Sequence, residues 1–262
     1  MISVEPIKGG LGARISGVAQ KPQDERDFRR EILGHLDFYQ LLVLPCYSTS
    51  LSAFQALAQP LGRLIRHDFL STAKGDRIHE IYKRPEDEQN FGGVWHSDGA
   101  YLQKPPRAIM LQAVHVPDDG GDTLFACQIA AYNALPDEQK TRLRDCRVLH
   151  TAASVFGEHP GSKTAGALQS ACHPLVRHVS GRRAYALFHS GPCAQRVIGV
   201  TADESRKLLG EALSAATHSP LQYRHKWQAG DIVIWDNRST MHKALNDYPG
   251  QPRLMRRAMI AG

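Results

Sequence analysis

The chain has 262 residues, 42% of them hydrophobic and 22% charged, ordinary for a globular protein and long enough for one large domain. Its 32 Lys and Arg against 26 Asp and Glu leave a net charge of +6, yet no Lys/Arg run exceeds a pair such as Arg182-Arg183. Scattered basic residues without interleaved aromatic side chains argue against a nucleic-acid partner and favour a small anionic molecule.

In chain order, residues 24–36 (DERDFRREILGHL) place apolar side chains at helical spacing, and FYQLLVLP after them reads as a buried strand. A second helix is predicted over SLSAFQALAQPLG, capped by Ser50 and stopped by Pro60 with Gly62. RIHEIY reads as a strand, and PEDEQNFGG as an exposed loop leading into VWHSDGAY, which looks like strand apart from its polar pair. Strands are predicted at RAIMLQAVHV and DTLFACQ, joined by the turn PDDGG. Helices follow at AAYNAL and PDEQKTRLRDC, the second with Pro136 in its first turn.

Residues 152–170 are rich in Gly, Ser and Ala and have no period, so they are expected to form a lid or a surface insertion. HPLVRHV and AYALFH flank the turn SGRR as a hairpin, and a helix is predicted over residues 203–215. LQYRHKW, IVIWDN and RLMRRAMIA read as the last strands. Many short strands with few helices predict a mainly β fold with flanking helices, a jelly roll (double-stranded β-helix), formed as a single domain over residues 1–262.

Five cysteines, odd in number and without a CxxC pair, suit reduced thiols that pack. The first ten residues lack the apolar run of a signal peptide, and no apolar stretch is long enough to span a bilayer. The expectation is a soluble, cytoplasmic protein with no membrane partner; self-association into a homo-oligomer is compatible with the sequence.

Alternate strand positions share a face, so VWHSDGAY aims the His96 imidazole and the Asp98 carboxylate into one small volume. A hydrogen-bonded polar pair would look the same, and a metal needs a third ligand. The best candidate is His242, beyond the apolar strand in GDIVIWDNRSTMHKALNDY. Two His and one carboxylate on one face of a metal leave positions open, as in non-haem Fe(II) oxygenases, although zinc accepts the same ligands. Arg253 lies eleven residues further on (253 − 242 = 11), where a returning strand could bring its planar fork back to bind a carboxylate. The plainer alternative is that Arg253, Arg256 and Arg257 form a solvated basic end.

With these residues in place, the chain resembles the taurine dioxygenase (TauD/TfdA) family of Fe(II)- and 2-oxoglutarate-dependent oxygenases. The likeness runs in order through GLGARISGV, VWHSDGAYLQKPPRAIMLQAVHVPDDGGDTLFA and GDIVIWDNRSTMHKALNDYPGQPRLMRRAMIAG, nearly the whole chain. It implies that His96, Asp98 and His242 ligate iron, and that Thr123 and Arg253 hold the distal carboxylate of 2-oxoglutarate. Arg257 matches a second arginine near the cosubstrate and, in sulfonate-using members, near the substrate's anionic group. His67 aligns with a substrate-contacting histidine. Gly92, Gly99 and Ala100 depart from what taurine enzymes carry and argue against taurine itself. Halogenases of this type replace the carboxylate ligand with a small residue, whereas Asp98 is present, so the implied reaction is oxidation, normally hydroxylation, of a small anionic substrate with O2 as the other cosubstrate and release of succinate and CO2.

Trp95 and Trp235 lie close in sequence to the ligands and are candidates to wall the site, against the plainer reading that such aromatics are core, and Asp236 and Asn237 are candidates to orient the approach to His242. Two rival readings stand beside the resemblance. A zinc hydrolase on the same ligands would have no use for Thr123 and Arg253. A non-catalytic jelly-roll metal- or anion-binding protein would keep the pocket and turn nothing over.

Overall fold

Apolar runs that look featureless in the sequence carry a period of two, because both faces of the strands they form are buried. The computed structural model describes residues 2–19, 21–67, 77–156 and 169–262. In chain order, β1 (Ser3–Pro6) and β2 (Ala13–Ser16) precede α1 (Glu25–Tyr39), β3 (Leu41–Leu44), α2 (Leu51–Leu61) and β4 (Leu64–Ile65). Next come β5 (Ile78–Lys83), β6 (Ala108–His115), β7 (Thr123–Cys127), α3 (Gln128–Asn133), α4 (Asp137–Arg144), β8 (Arg147–Thr151) and α5 (Ala153–Phe156). The chain continues with β9 (Ser170–Pro174), β10 (Val176–Val179), β11 (Ala184–Leu187), β12 (Ala194–Val197), α6 (Ala202–Thr217), β13 (Gln222–His225), β14 (Ile232–Asp236), β15 (Thr240–Ala244) and β16 (Arg253–Ile260).

Strand residues outnumber helical ones, and the main sheet has eight strands in the order β1-β2-β3-β14-β6-β16-β4, with β5 pairing along β16. Leu42, Leu44, Met110, Ile232 and Ile234 face one way and pack with Ile32, Leu36, Phe54 and Leu57 of α1 and α2. Leu41, Val43, Ile109, Leu111, Val233, Trp235, Met255 and Met259 face the other way. They meet Phe125 and Cys127 of a three-stranded sheet ordered β13-β7-β15. The two sheets together enclose the second core cluster, and Arg253 and Arg257, on alternate positions with Met255 and Met259, belong to that inner face.

Several local expectations need correction. The first helix runs past residue 36 through Tyr39, so Phe38 and Tyr39 are helical and not strand. Asp24 caps it by accepting from the Arg26 and Asp27 N–H groups, and Gln40 ends it with φ 66. Ser50 caps α2 as expected, but Pro60 lies inside that helix and Gly62 ends it. Pro136 is the N-cap of α4, one residue ahead of the first turn. HPLVRHV divides at Leu175 between β9 and β10, which belong to different sheets; the hairpin with β11 is present.

VWHSDGAY is no strand: His96 makes one isolated bridge and the residues around it turn. Residues 157–168, most of the segment expected to be a lid or insertion, lie outside the described residues, as do residues 68–76. Among the described residues no helix is long and apolar enough to cross a membrane.

Candidate metal centre and its two pockets

His96 and His242 meet across the isolated bridge, each backbone N–H donating to the other's carbonyl at 3.0 Å. This reciprocal pair, and not a shared strand face, brings the HSD turn onto β15. The two imidazole rings lie 4.1 Å apart between centroids. Asp98 completes the group: its Oδ1 is 4.0 Å from His96 Nε2 and its Oδ2 is 3.7 Å from His242 Nε2. One donor atom from each of the three residues lies within 4.8 Å of the others.

Neighbouring groups set these donors. His96 Nδ1 donates to the Val94 carbonyl at 2.7 Å, which fixes the ring and leaves Nε2 turned toward Asp98. Asn237 grips the Asp98 backbone on both sides, accepting from its N–H at 2.9 Å and donating to its carbonyl at 2.9 Å, while also donating to the Pro106 carbonyl. Asn237 therefore serves Asp98 and not the approach to His242, and Asp236 is engaged with Arg238. Trp235 is fully buried with its ring 4.6 Å from His242, whereas Trp95 packs into the separate cluster around α3 and α6.

Electrostatics favour the charge states a divalent metal needs. Burial raises the Asp98 pKa, but Arg257, then His242, His96 and His67 outweigh it and hold the carboxyl at about 2. Burial, helped by His96 and Arg257 against the pull of Asp98, holds His242 at about 3 and hence neutral. Arg257 Nη1 donates to Asp98 Oδ1 at 2.8 Å, and Asp98 Oδ2 is buried with no hydrogen-bond partner among the described residues. A carboxylate oxygen left in that condition is costly unless a cation takes it. Two imidazoles and that oxygen suit Fe(II) or Zn(II).

Two cavities meet at this centre, and His96, Phe91 and Gly92 line both. The smaller, about 30 Å³, is a slot between the inner sheet faces, bounded by Thr123, Trp235, His242, Arg253 and Arg257. Arg253 is 5% exposed, and its Nε and Nη2 have no hydrogen-bond partner among the described residues. Burial lowers its pKa, with Tyr248 and Asp122 opposing the shift. The larger cavity, about 470 Å³, mixes apolar side chains such as Phe91, Val94, Tyr101 and Phe156 with polar ones such as Asn90 and Ser190. His67 lines it, edge-on to Phe156 and 3.3 Å from the Tyr101 hydroxyl.

Each residue singled out in the sequence as a ligand or anchor thus lies at the centre or in one of its cavities. Sequence reasoning missed Phe91, Tyr101 and Phe156, whose rings come together from three separate segments, and Trp227, which donates its indole N–H to Thr123. Cys193 lines the larger cavity, and burial pushes its thiol up to about 11.

A family model described as "Taurine catabolism dioxygenase TauD, TfdA family" matches residues 3–259. An alpha-ketoglutarate-dependent sulfate ester dioxygenase from Pseudomonas putida is 28% identical, with 100% of this chain and 90% of that protein covered. An alpha-ketoglutarate-dependent 2,4-dichlorophenoxyacetate dioxygenase from Cupriavidus pinatubonensis is 38% identical over 64% of this chain and 60% of its own length. The crystal structure of AAD-2 in complex with Mn(II) and N-oxalylglycine matches with a TM-score of 0.87 at 26% identity, covering 100% of this chain and 98% of that one.

Proposed function

The chain belongs to the TauD/TfdA family and is an Fe(II)- and 2-oxoglutarate-dependent dioxygenase acting on a small molecule, and on that premise we propose that His96, Asp98 and His242 hold the iron, that the slot takes 2-oxoglutarate and that the larger cavity takes the substrate. The observation that carries this reading is the buried Asp98 Oδ2, without a hydrogen-bond partner among the described residues and beside the His96 and His242 rings where the cavities join. In this assignment the double-stranded β-helix is the fold, its two sheets being the eight-stranded sheet and β13-β7-β15. A metal held at the centre would let O2 act as the oxidant, with two electrons drawn from 2-oxoglutarate, giving succinate and CO2, and two from the substrate.

The remaining work falls to the chain's own side chains. Arg253 and Thr123 hold the distal carboxylate at the far end of the slot, the guanidinium through the Nε and Nη2 that have no partner among the described residues. Asn237 fixes the Asp98 backbone and Arg257 one of its oxygens, so that a single oxygen faces the metal. Phe91, Tyr101 and Phe156 exclude water beside the centre.

The substrate we propose is a small organic anion that is hydroxylated. An apolar body would rest on the three aromatic rings, and its charge would face His67 in the same cavity, with Arg257 bounding the slot next to it. The sulfate ester and 2,4-dichlorophenoxyacetate named for two relatives both carry such a charge. The test is an anaerobic titration with Fe(II) and then 2-oxoglutarate, following the weak visible band of the chelate. Wild type is expected to develop the band, His96→Ala to lose it and Arg253→Ala to need far more 2-oxoglutarate. Iron bound without a band in wild type would defeat the assignment of the slot.

A further inference from the structure

Thr123 Oγ1 accepts a hydrogen bond from Trp227 Nε1 at 2.9 Å. An indole N–H is a donor only, whereas a hydroxyl has one hydrogen to give, so this contact fixes the direction of the pair. The oxygen of Thr123 is the acceptor, and its own hydrogen stays available. Thr123 is 1% exposed, lines the slot beside Arg253, and donates its hydroxyl to no acceptor among the described residues.

Trp227 is itself held. Its ring stands edge-on to His225 at 4.3 Å and 89°, inside the inner core cluster. His225 is 3.1 Å from Asp231 Oδ2 on one side and 3.1 Å from the Tyr223 hydroxyl on the other. Asp231 is tied to the backbone by the Cys46 and Gln228 N–H groups. Because His225 pairs in register with Thr123 on β7, the chain leaving β13 brings Trp227 back over the residue it serves.

We propose that Trp227 is a positioning residue for the cosubstrate: by occupying the acceptor side of the Thr123 hydroxyl, it commits the hydroxyl hydrogen to the distal carboxylate in the slot. The inference rests on the proposed role of Thr123 and Arg253 as the carboxylate anchor. Without the indole donor, the hydroxyl's rotation is no longer set and its hydrogen can turn away from the slot, so the anchor loses one oriented donor. The effect therefore depends on the ligand having a distal carboxylate, which a purely structural role for Trp227 does not require.

The experiment uses the full chain loaded with Mn(II) and measures equilibrium binding of 2-oxoglutarate and of pyruvate, which lacks the distal carboxylate, by calorimetry. Trp227→Phe keeps an aromatic ring against His225 and removes the N–H. It is expected to weaken 2-oxoglutarate binding about threefold to tenfold while leaving pyruvate unchanged. In a Thr123→Val background the same substitution is expected to add nothing. An undiminished loss in that background, an equal loss for pyruvate, or no loss at all overturns the proposal. If Thr123→Val itself leaves 2-oxoglutarate binding intact, the anchor reading fails first and the inference falls with it; if Thr123→Val weakens binding and Trp227→Phe does not, only the inference fails.

A second readout needs no Trp227 variant. The chain has three tryptophans, hence three indole N–H signals in a nitrogen-15 spectrum of the Zn(II)-loaded protein. One signal is expected to move in Thr123→Val and, in wild type, to respond to 2-oxoglutarate but not to pyruvate; three signals indifferent to both changes overturn the proposal.

Discussion

Arg257 Nη1 donates to Asp98 Oδ1 at 2.8 Å, and the two side chains are 3% and 6% exposed. The bond fixes one carboxylate oxygen and leaves the other for the centre, while burial makes its loss expensive. Arg257→Gln is expected to weaken Mn(II) binding about tenfold to a hundredfold, the range for a charge-assisted bond of about 1.5–3 kcal/mol. Its pH dependence should also change. The folded Asp98 carboxyl sits at about 2, below its ordinary 3.8, so its contribution is whole above pH 3.8 and is lost as pH falls through about 2. Removing Arg257 takes away the largest force opposing desolvation, so loss of metal on acidification should begin at higher pH. Mn(II) titrations across acidic pH compare the two proteins, and coincident curves would refute the coupling.

Asn237→Ala removes three buried hydrogen bonds, two to the Asp98 backbone and one to the Pro106 carbonyl, and leaves those groups without them. The expected loss of stability is about 2–4 kcal/mol. Because the same bonds place Asp98, metal affinity should fall in the fraction that remains folded. Urea denaturation gives the first quantity and metal titration of the folded protein the second. An unchanged affinity would mean that the HSD turn holds its shape unaided.

Gly92 has φ +80, and a Cβ added there would lie 3.1 Å from His96 Cε1. Gly92→Ala should therefore displace the imidazole as well as strain the backbone by about 1 kcal/mol. Gly199 isolates the second effect, since it has φ +83 and a Cβ added to it would meet nothing within 4 Å. Both alanine variants should lose similar stability, and Gly92→Ala alone should bind metal more weakly. Equal metal affinity in the two would show that His96 accommodates the methyl group.

The proposed ligands were legible in the sequence because their chemistry is carried by residue type: His96, Asp98 and His242 need only be recognised and placed. The device that joins them was not. The turn after His96 includes Gly99 at φ +62, where an added Cβ would lie 2.9 Å from Pro106, a constraint set by tertiary packing that alternation along VWHSDGAY does not reveal. β15 escaped notice because Thr240–Ala244 mixes polar and apolar side chains, and its strand character comes from pairing with β7. In the central strands the apolar runs showed burial, while the split into two faces became visible only once α1 and α2 covered one side. Phe38 and Tyr39 joined the helix because Gln40 adopts the left-handed conformation that closes it, a role usually taken by Gly or Asn.

His189 is 2% exposed, and neither ring nitrogen has a hydrogen-bond partner among the described residues. Burial pushes it down to about 4, and burial together with His173 and His189 pushes His150 down to about 3. Both rings are neutral in the fold at neutral pH, whereas the unfolded chain protonates them near 6.5. With depressed folded values, the unfolded state binds more protons below pH 6.5, so stability is whole above that pH and declines as pH falls toward 4 and then 3. Each ring contributes up to about 1.4 kcal/mol per pH unit over its window. His189→Leu removes one of the two and replaces an unsatisfied polar ring with an apolar side chain. It should leave stability at pH 7 unchanged or raised, and flatten the decline between pH 6 and pH 4. Urea denaturation at a series of pH values measures both. A variant whose acid limb is as steep as wild type would show that His189 already takes up its proton in the folded protein, contrary to a buried neutral ring.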